Sequence, residues 1–309
     1  MSNLTLKSAI IGALGLASAQ VMATGFEVLP TTGLNSSGGT TGTKVTAYRT
    51  CNTTGDFGST SSTAPTAGAN NKCAVFPANP FVAPAPYNTY SLVASNNQNV
   101  NMPAPYAGSN PLVANVTDAV FRNAAGTECV YAVFVHMYDN PLAPGNGGEE
   151  EEPGEPANWE LNDIARGGFA DKGTVDVAYY YTAITDEVVF RAGRTHTAVR
   201  HRASGSGDIA LPVFTGTGVP AASTPITNVQ KAALSANWVN FTTDVNAEDP
   251  DGTTFPDTSV MYVHSGCTSA TPTLFTDAIR LRSTGQEDQT QIEVKIPGYA
   301  PAGATINTY

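Results

Sequence analysis

Hydrophobic and polar positions alternate most cleanly between Val175 and Arg202. Val175, Val177, Tyr179 and Tyr181 recur at every second residue, Thr185-Asp186 interrupts, and Val188, Phe190 and Ala192 resume the pattern. Period two puts such residues on one face of a strand. The β-branched and aromatic side chains suit a pleated, half-buried surface. The segment predicts a central hairpin.

The same reasoning applied along the chain predicts a series of short strands. Asn115 to Arg122 and Glu128 to Tyr138 form a hairpin around the turn Asn123-Ala-Ala-Gly126. Trp159 to Ile164, Ile209 to Phe214, Val239 to Val245 and Ser259 to His264 read as strands, with a strong turn at Asp249-Pro-Asp-Gly252. Ala278 to Arg282 and Gln291 to Ile296 flank another hairpin turn at Thr284 to Asp288. One helix is expected at Ile226 to Trp238, with Thr227 as its N-cap. About eight strands separated by turn chemistry predict an all-β fold, an antiparallel β-sandwich of immunoglobulin-like or jelly-roll-like kind. An outer-membrane barrel is disfavoured, since its strands run to about 10 residues with an outward apolar band.

The region before Ser109 has a different texture. Thr31 to Thr66 is dominated by Thr, Gly, Ser and Asn, which bury too little apolar area to offset chain entropy, apart from a strand at Lys44 to Thr50. Prolines at 77, 80, 84, 86, 103 and 105 exclude a central strand through most of Phe76 to Tyr106. Tyr87 to Ala94 is the exception, as an edge strand. Residues 24–109 are therefore expected to be loop-rich, with 110–309 as the β-sandwich domain.

At the N-terminus, Lys7 precedes an apolar run from Ala9 to Ala17 and small residues up to Ala23. That order matches a secretory signal peptide, residues 1–23, cleaved after Ala23. The run is shorter than the roughly 20 residues a membrane-spanning helix needs. Export predicts a secreted, periplasmic or extracellular-surface protein.

Composition narrows the functional classes. Only 13% of residues are charged, about half the usual share. The net charge is −11, which argues against nucleic acid and anionic lipid as partners, because both demand clustered basic residues. The four cysteines, Cys51, Cys73, Cys129 and Cys267, are too widely spaced for a zinc site, so disulfides are expected in an oxidising compartment. A Cys51–Cys73 bridge would hold a polar loop and Cys129–Cys267 would join distant strands. Spacing alone leaves all three pairings open.

Several constellations are candidates for chemistry. Arg194, His196, Arg200 and Arg202 share one face of a regular strand, which suggests an anion or acidic-partner surface, while His201 points the other way. The plainer reading pairs these arginines with the protein's own carboxylates, including the Glu149 to Glu152 run. His136 and His264 each lie near the expected Cys129–Cys267 tether and could hold copper or zinc. Asp244, Asn246, Glu248, Asp249 and Asp251 crowd oxygen ligands into eight residues, which suggests calcium, although Pro250 breaks the helix-loop-helix calcium spacing. A solvated turn would explain the same residues. Asn52, Asn115 and Asn240 match the glycosylation pattern.

No Gly-x-Ser-x-Gly element, phosphate-binding glycine loop or haem motif occurs, so no catalytic residue is assigned. The sequence predicts an exported structural or binding component, with three versions of its role. The first is a self-assembling subunit, in which Phe26 to Leu29 donate a strand to a neighbour's sheet edge or the surface engages other surface proteins. The second is a metal-binding protein using the histidine pair or the acidic loop. The third, without motif support, is a secreted hydrolase.

Overall fold

A computed structural model describes residues 25–36, 44–51, 73–75, 79–81, 89–102, 110–142, 156–182, 186–196, 199–200, 209–210, 234–248, 254–283 and 292–307. In chain order the strands are β1 (Glu27–Leu29), β2 (Leu34–Ser36), β3 (Lys44–Thr46), β4 (Tyr48–Thr50), β5 (Ala74–Val75), β6 (Tyr90–Asn101) and β7 (Leu112–Asn123). Next come β8 (Glu128–Met137), β9 (Leu161–Arg166), β10 (Val175–Tyr180), β11 (Asp186–Glu187), β12 (Arg191–Gly193), β13 (Val199–Arg200) and β14 (Ile209–Ala210). The last are β15 (Val239–Val245), β16 (Asp257–Thr258), β17 (Val260–Gly266), β18 (Thr273–Ser283) and β19 (Ile292–Ala300).

Two sheets account for most of them. In the first, nine-stranded and curled into a half-barrel, β6, β7 and β8 form a meander; β17 and β16 pair with the other side of β8, and β10 follows β17. The outer edge of β10 is covered by β1, antiparallel, and by β5, parallel. The second sheet runs β19-β18-β9-β15-β12-β4. The pairs β2/β3 and β13/β14 are small separate ribbons.

Side chains from both sheets meet in one buried apolar cluster. The first contributes Val116, Val120, Tyr131, Val133, Val177 and Met261, and the second contributes Leu161, Ile164, Phe241, Ile279 and Leu281. Both faces of the first sheet are apolar. Odd positions of β8 (Tyr131, Val133, Val135) enter that cluster, while Val130 and Ala132 join Phe121, Ala178 and Tyr262 in a second cluster on the opposite face. At the β7–β8 turn, Gly126 takes φ +73° and donates to the Asn123 carbonyl at 3.0 Å, and the Asn123 side-chain oxygen accepts from the Thr127 amide at 2.9 Å. That conformation favours glycine.

The disulfides are Cys51–Cys73 and Cys129–Cys267, 22 and 138 residues apart in sequence. The second joins β8 to the segment leaving β17, because Cys129 lies opposite Ser265 in the ladder. Among the described residues no helix is long and apolar enough to cross a membrane.

Two expectations are corrected. Val175 to Arg202 is not a hairpin: β10 lies in the first sheet and β12 in the second, paired with β15 and β4. Alternation fixes which face is buried but not which strand is the neighbour. The helix expected at 226–238 is also absent from its described part. Leu234 bridges Thr195 in extended pairing, and Trp238 is buried beneath Arg280, whose guanidinium stands 5.0 Å from the indole ring. Tertiary packing outweighs weak helix propensity there, and the only helical element among the described residues is the 3₁₀ turn Ala170–Lys172. Residues 1–23, Asn52, Glu149 to Glu152, His201, Arg202, Asp249, Asp251 and the greater part of the expected helix lie outside the described residues.

Candidate functional site

The two histidines near the Cys129–Cys267 bridge occupy one face of the first sheet but not one site. His264 on β17 lies opposite Val130 of β8, six residues along the strand from His136. At about 3.3 Å per residue they stand roughly 20 Å apart. Each has its own carboxylate: His136 Nδ1 is 2.6 Å from Asp257 Oδ1, its cross-strand partner, and His264 Nδ1 is 3.1 Å from Asp176 Oδ2. They do not form a shared metal pair. Among the described residues no three His, Cys, Asp or Glu side chains converge.

His264 is the more elaborated of the two. Its Nε2 lies 3.3 Å from the Tyr90 hydroxyl, which donates to Glu128 Oε2 at 2.8 Å, and the Phe26 ring stacks on the imidazole at 4.9 Å between centroids. The carboxylate–imidazole–phenol line orients the ring, but a phenol donating to a carboxylate ends it, so it is no nucleophile triad. Its neighbours come from β6, β8, β10 and the residue preceding β1, and sequence gives no register to connect them.

Of the proposed arginine face, the side chains of Arg194 and His196 are described and Arg194 is withdrawn into the interior. Arg194 is fully buried, and its Nη2 donates to the carbonyls of Phe169 (3.0 Å), Gly173 (3.1 Å) and Ala236. Burial lowers its pKa to about 10, and it presents no anion surface. His196 is half-buried; desolvation, and secondarily the Arg282 charge, lower its pKa. The Arg200 backbone lies in β13, paired with Ile209 of β14.

The acidic loop is divided into two groups. Asp244 accepts from Asn162 Nδ2 at 3.3 Å, and the same nitrogen donates to Glu160. Glu248 instead accepts at 3.3 Å from Asn158 Nδ2, which also donates to Asp139 Oδ1 at 3.1 Å. Asn246 is buried, and its side-chain oxygen has no hydrogen-bond partner. Of the glycosylation candidates, Asn240 is fully buried and donates to Asp163 at 2.6 Å, which excludes a glycan on the folded chain, while Asn115 is engaged with Asn97 and Asn99 on the outer face of β6–β7.

Sequence reasoning passed over the buried charges. Arg166 of β9 pairs with Asp118 of β7 across the core, both fully buried, and Asp118 also accepts the Tyr299 amide at 2.6 Å. On the second sheet, Arg282 binds Asp163 (3.0 Å) and Glu293 (2.9 Å), and Arg280 binds Glu293 (2.7 Å). Desolvation raises the Asp118 pKa against the pull of Arg166. The same cause pushes Asp163 up to about 6, with Arg282 and Asn240 opposing it.

No family model, curated protein or solved structure matches this chain. Function therefore rests on geometry. The buried charges serve architecture, since each is spent on another element of the fold. Among the described residues, the features open to solvent or to a partner include the thin N-terminal strand over β10, with Phe26 against His264, and the Asp139–Asn158–Glu248 cluster.

Proposed function

We propose that the two sheets pack as an antiparallel β-sandwich, and that the protein is an exported, disulfide-stabilised structural or binding component of the extracellular surface, assembling with copies of itself by strand exchange through β1. Two disulfides in an all-β chain fit an oxidising compartment. The observation that carries the assembly reading is the attachment of β1. It contributes only three paired residues to the edge of β10, yet buries Leu29 completely. A short strand that fills a core position from the sheet edge is the part most readily supplied by another copy, because the exchanged contacts are identical.

The test is deletion of residues 24–30 and, separately, Leu29→Asp, with oligomeric state followed by light scattering and electron microscopy. Assembly by the mature chain that both variants lose is expected. Assembly undiminished in either variant, or a mature chain that stays monomeric at all concentrations, overturns the reading. Intact mass of the exported protein should begin at Thr24.

A further inference from the structure

We propose that the outer edge of β6 is a self-association seam, at which two copies pair β6 against β6 and join their first sheets into one. It is a second interface, on the sheet edge away from β1. β6 is 12 residues long, about twice the usual strand, and among the described residues it pairs with β7 alone. Such an edge offers a row of backbone donors and acceptors to another strand. The neighbouring edge is guarded and this one is not. β19 lies beside β6, since Gln98 Nε2 donates to the Pro297 carbonyl at 2.7 Å and the Tyr299 hydroxyl donates to the Ser95 carbonyl at 3.3 Å. β19 carries an exposed lysine, Lys295, and Pro297, which has no N–H to give. β6 has neither lysine nor proline.

Charge selects the partner. Cys73 to Thr117 is a run of 45 residues without Asp, Glu, Lys or Arg, in a chain of which 13% is charged and no other such run exceeds 22 residues. The next charge, Asp118, is fully buried against Arg166. Two copies that each carry a net charge of −11 repel one another over most approaches. An uncharged strand offers no counter-charge to an acidic or basic partner, but it lets its own copy approach without that repulsion.

The bulges set the register. Irregularities between Leu92 and Ala94 and between Val100 and Asn101 bound a regular stretch, Ala94 to Val100, whose middle residue is Asn97. Antiparallel pairing of two identical strands requires a twofold axis normal to the sheet. Through Asn97, that axis sets Asn97 opposite its own copy, Ser95 opposite Asn99 and Ala94 opposite Val100. Ser95, Asn97 and Asn99 are all exposed and share the outer face. A ladder of amides already crosses that face. Asn97 Nδ2 donates to Asn115 Oδ1 at 2.8 Å and to Thr117 Oγ1 at 2.9 Å, and Asn115 Nδ2 donates to Asn97 Oδ1 and Asn99 Oδ1, each at 3.0 Å. Amides and hydroxyls brought opposite one another across the seam extend the ladder from one copy into the next.

The experiment uses the mature, disulfide-intact chain. Sedimentation follows its oligomeric state from about 1 to 500 µM, the range in which a seam of one strand pair should saturate, and hydrogen exchange is read at both ends. A dimer is expected, with exchange in residues 90–101 slowed about tenfold in the concentrated sample. Asn97 and Asn99 are exposed, so Asn97→Lys with Asn99→Lys should keep the circular dichroism and thermal midpoint while weakening the dimer at least tenfold. Asn97→Glu with Asn99→Glu should do the same, and mixing the two variants should restore the dimer, which damage to the fold could not do. Exchange in β6 that ignores concentration, a lysine variant that associates as the wild type does, or a mixture no better than its components overturns the proposal. Leu29→Asp removes the assembly carried by β1 and should leave this dimer, whereas a dimer lost in Leu29→Asp but kept in the lysine variant would assign the seam to β1 and overturn it.

Discussion

Asp118→Asn should be the most damaging conservative substitution in the core. The carboxylate and the Arg166 guanidinium are both fully buried and join β7 of the first sheet to β9 of the second. Arg166 has little else: its Nε and Nη1 make no hydrogen bond, and its remaining favourable contact is the Tyr131 ring, 5.7 Å from the guanidinium carbon. An amide of the same shape leaves that charge uncompensated in the interior and weakens the acceptor for the Tyr299 amide. Breaking a buried pair from one side costs about 3–5 kcal/mol, a large part of the roughly 5–15 kcal/mol that holds a domain folded. At about 2–4 °C per kcal/mol the midpoint should fall by about 6–20 °C. Thermal and guanidinium unfolding with the disulfides oxidised measure it. The control is Asp118→Leu with Arg166→Met, which removes both charges and should recover most of the loss. A single variant costing under about 1 kcal/mol, or a double variant as damaged as the single, would refute the claim that an unpaired buried charge is what hurts.

Asp163 carries the pH dependence. Its folded pKa, about 6, lies above its ordinary value of 3.8, so its contribution is fully present below about pH 4 and is lost as pH rises through about 6. Comparing unfolding free energies between those limits, the wild type should lose stability relative to Asp163→Asn; parallel pH profiles would count against it. The two disulfides should differ in weight. Chain-entropy arguments give about 5 kcal/mol for the 138-residue separation of Cys129–Cys267 and about 3.4 kcal/mol for the 22 residues of Cys51–Cys73. Paired Ser variants in denaturant melts should therefore rank in that order, and equal losses would contradict it.

Parity made much of the architecture legible. The β7–β8 and β18–β19 hairpins could be read from alternation and from the turns at Asn123 to Gly126 and Thr284 to Asp288, because their partners are adjacent in sequence. Even the buried acid left a signal. Asp118 shares parity with Val116 and Val120, both buried, which placed a carboxylate on the core face and demanded a partner. What parity could not provide was Arg166, 48 residues away on the other sheet. The same limit dissolved the predicted hairpin over 175–202 and took Arg194 out of the proposed arginine face, since Arg194 points at backbone carbonyls from two separate segments, Phe169 to Gly173 and Ala236. The acidic loop was visible as composition, but Asp139 was not visible as its neighbour.

The distribution of buried charge also argues for which strand can leave the fold. β19 holds Glu293 against Arg280 and Arg282, and its Tyr299 amide reaches Asp118. Withdrawing it would take the Glu293 carboxylate away from both buried guanidinium groups and a hydrogen bond away from Asp118, at a cost of several kcal/mol. β1 carries no such tie. Its single ion pair among the described residues, Glu27 with Arg49 at 2.8 Å, is partly exposed and worth about 0–1 kcal/mol. Its main anchor is Leu29, for which full burial contributes about 1.5–3 kcal/mol. Release of β1 therefore costs a few kcal/mol while the ionic seam of the second sheet stays closed. A second copy presenting the same four residues, Phe26 to Leu29, restores that amount in full. Of these two edge strands, β1 is thus the one whose release the fold resists less, and it carries neither disulfide.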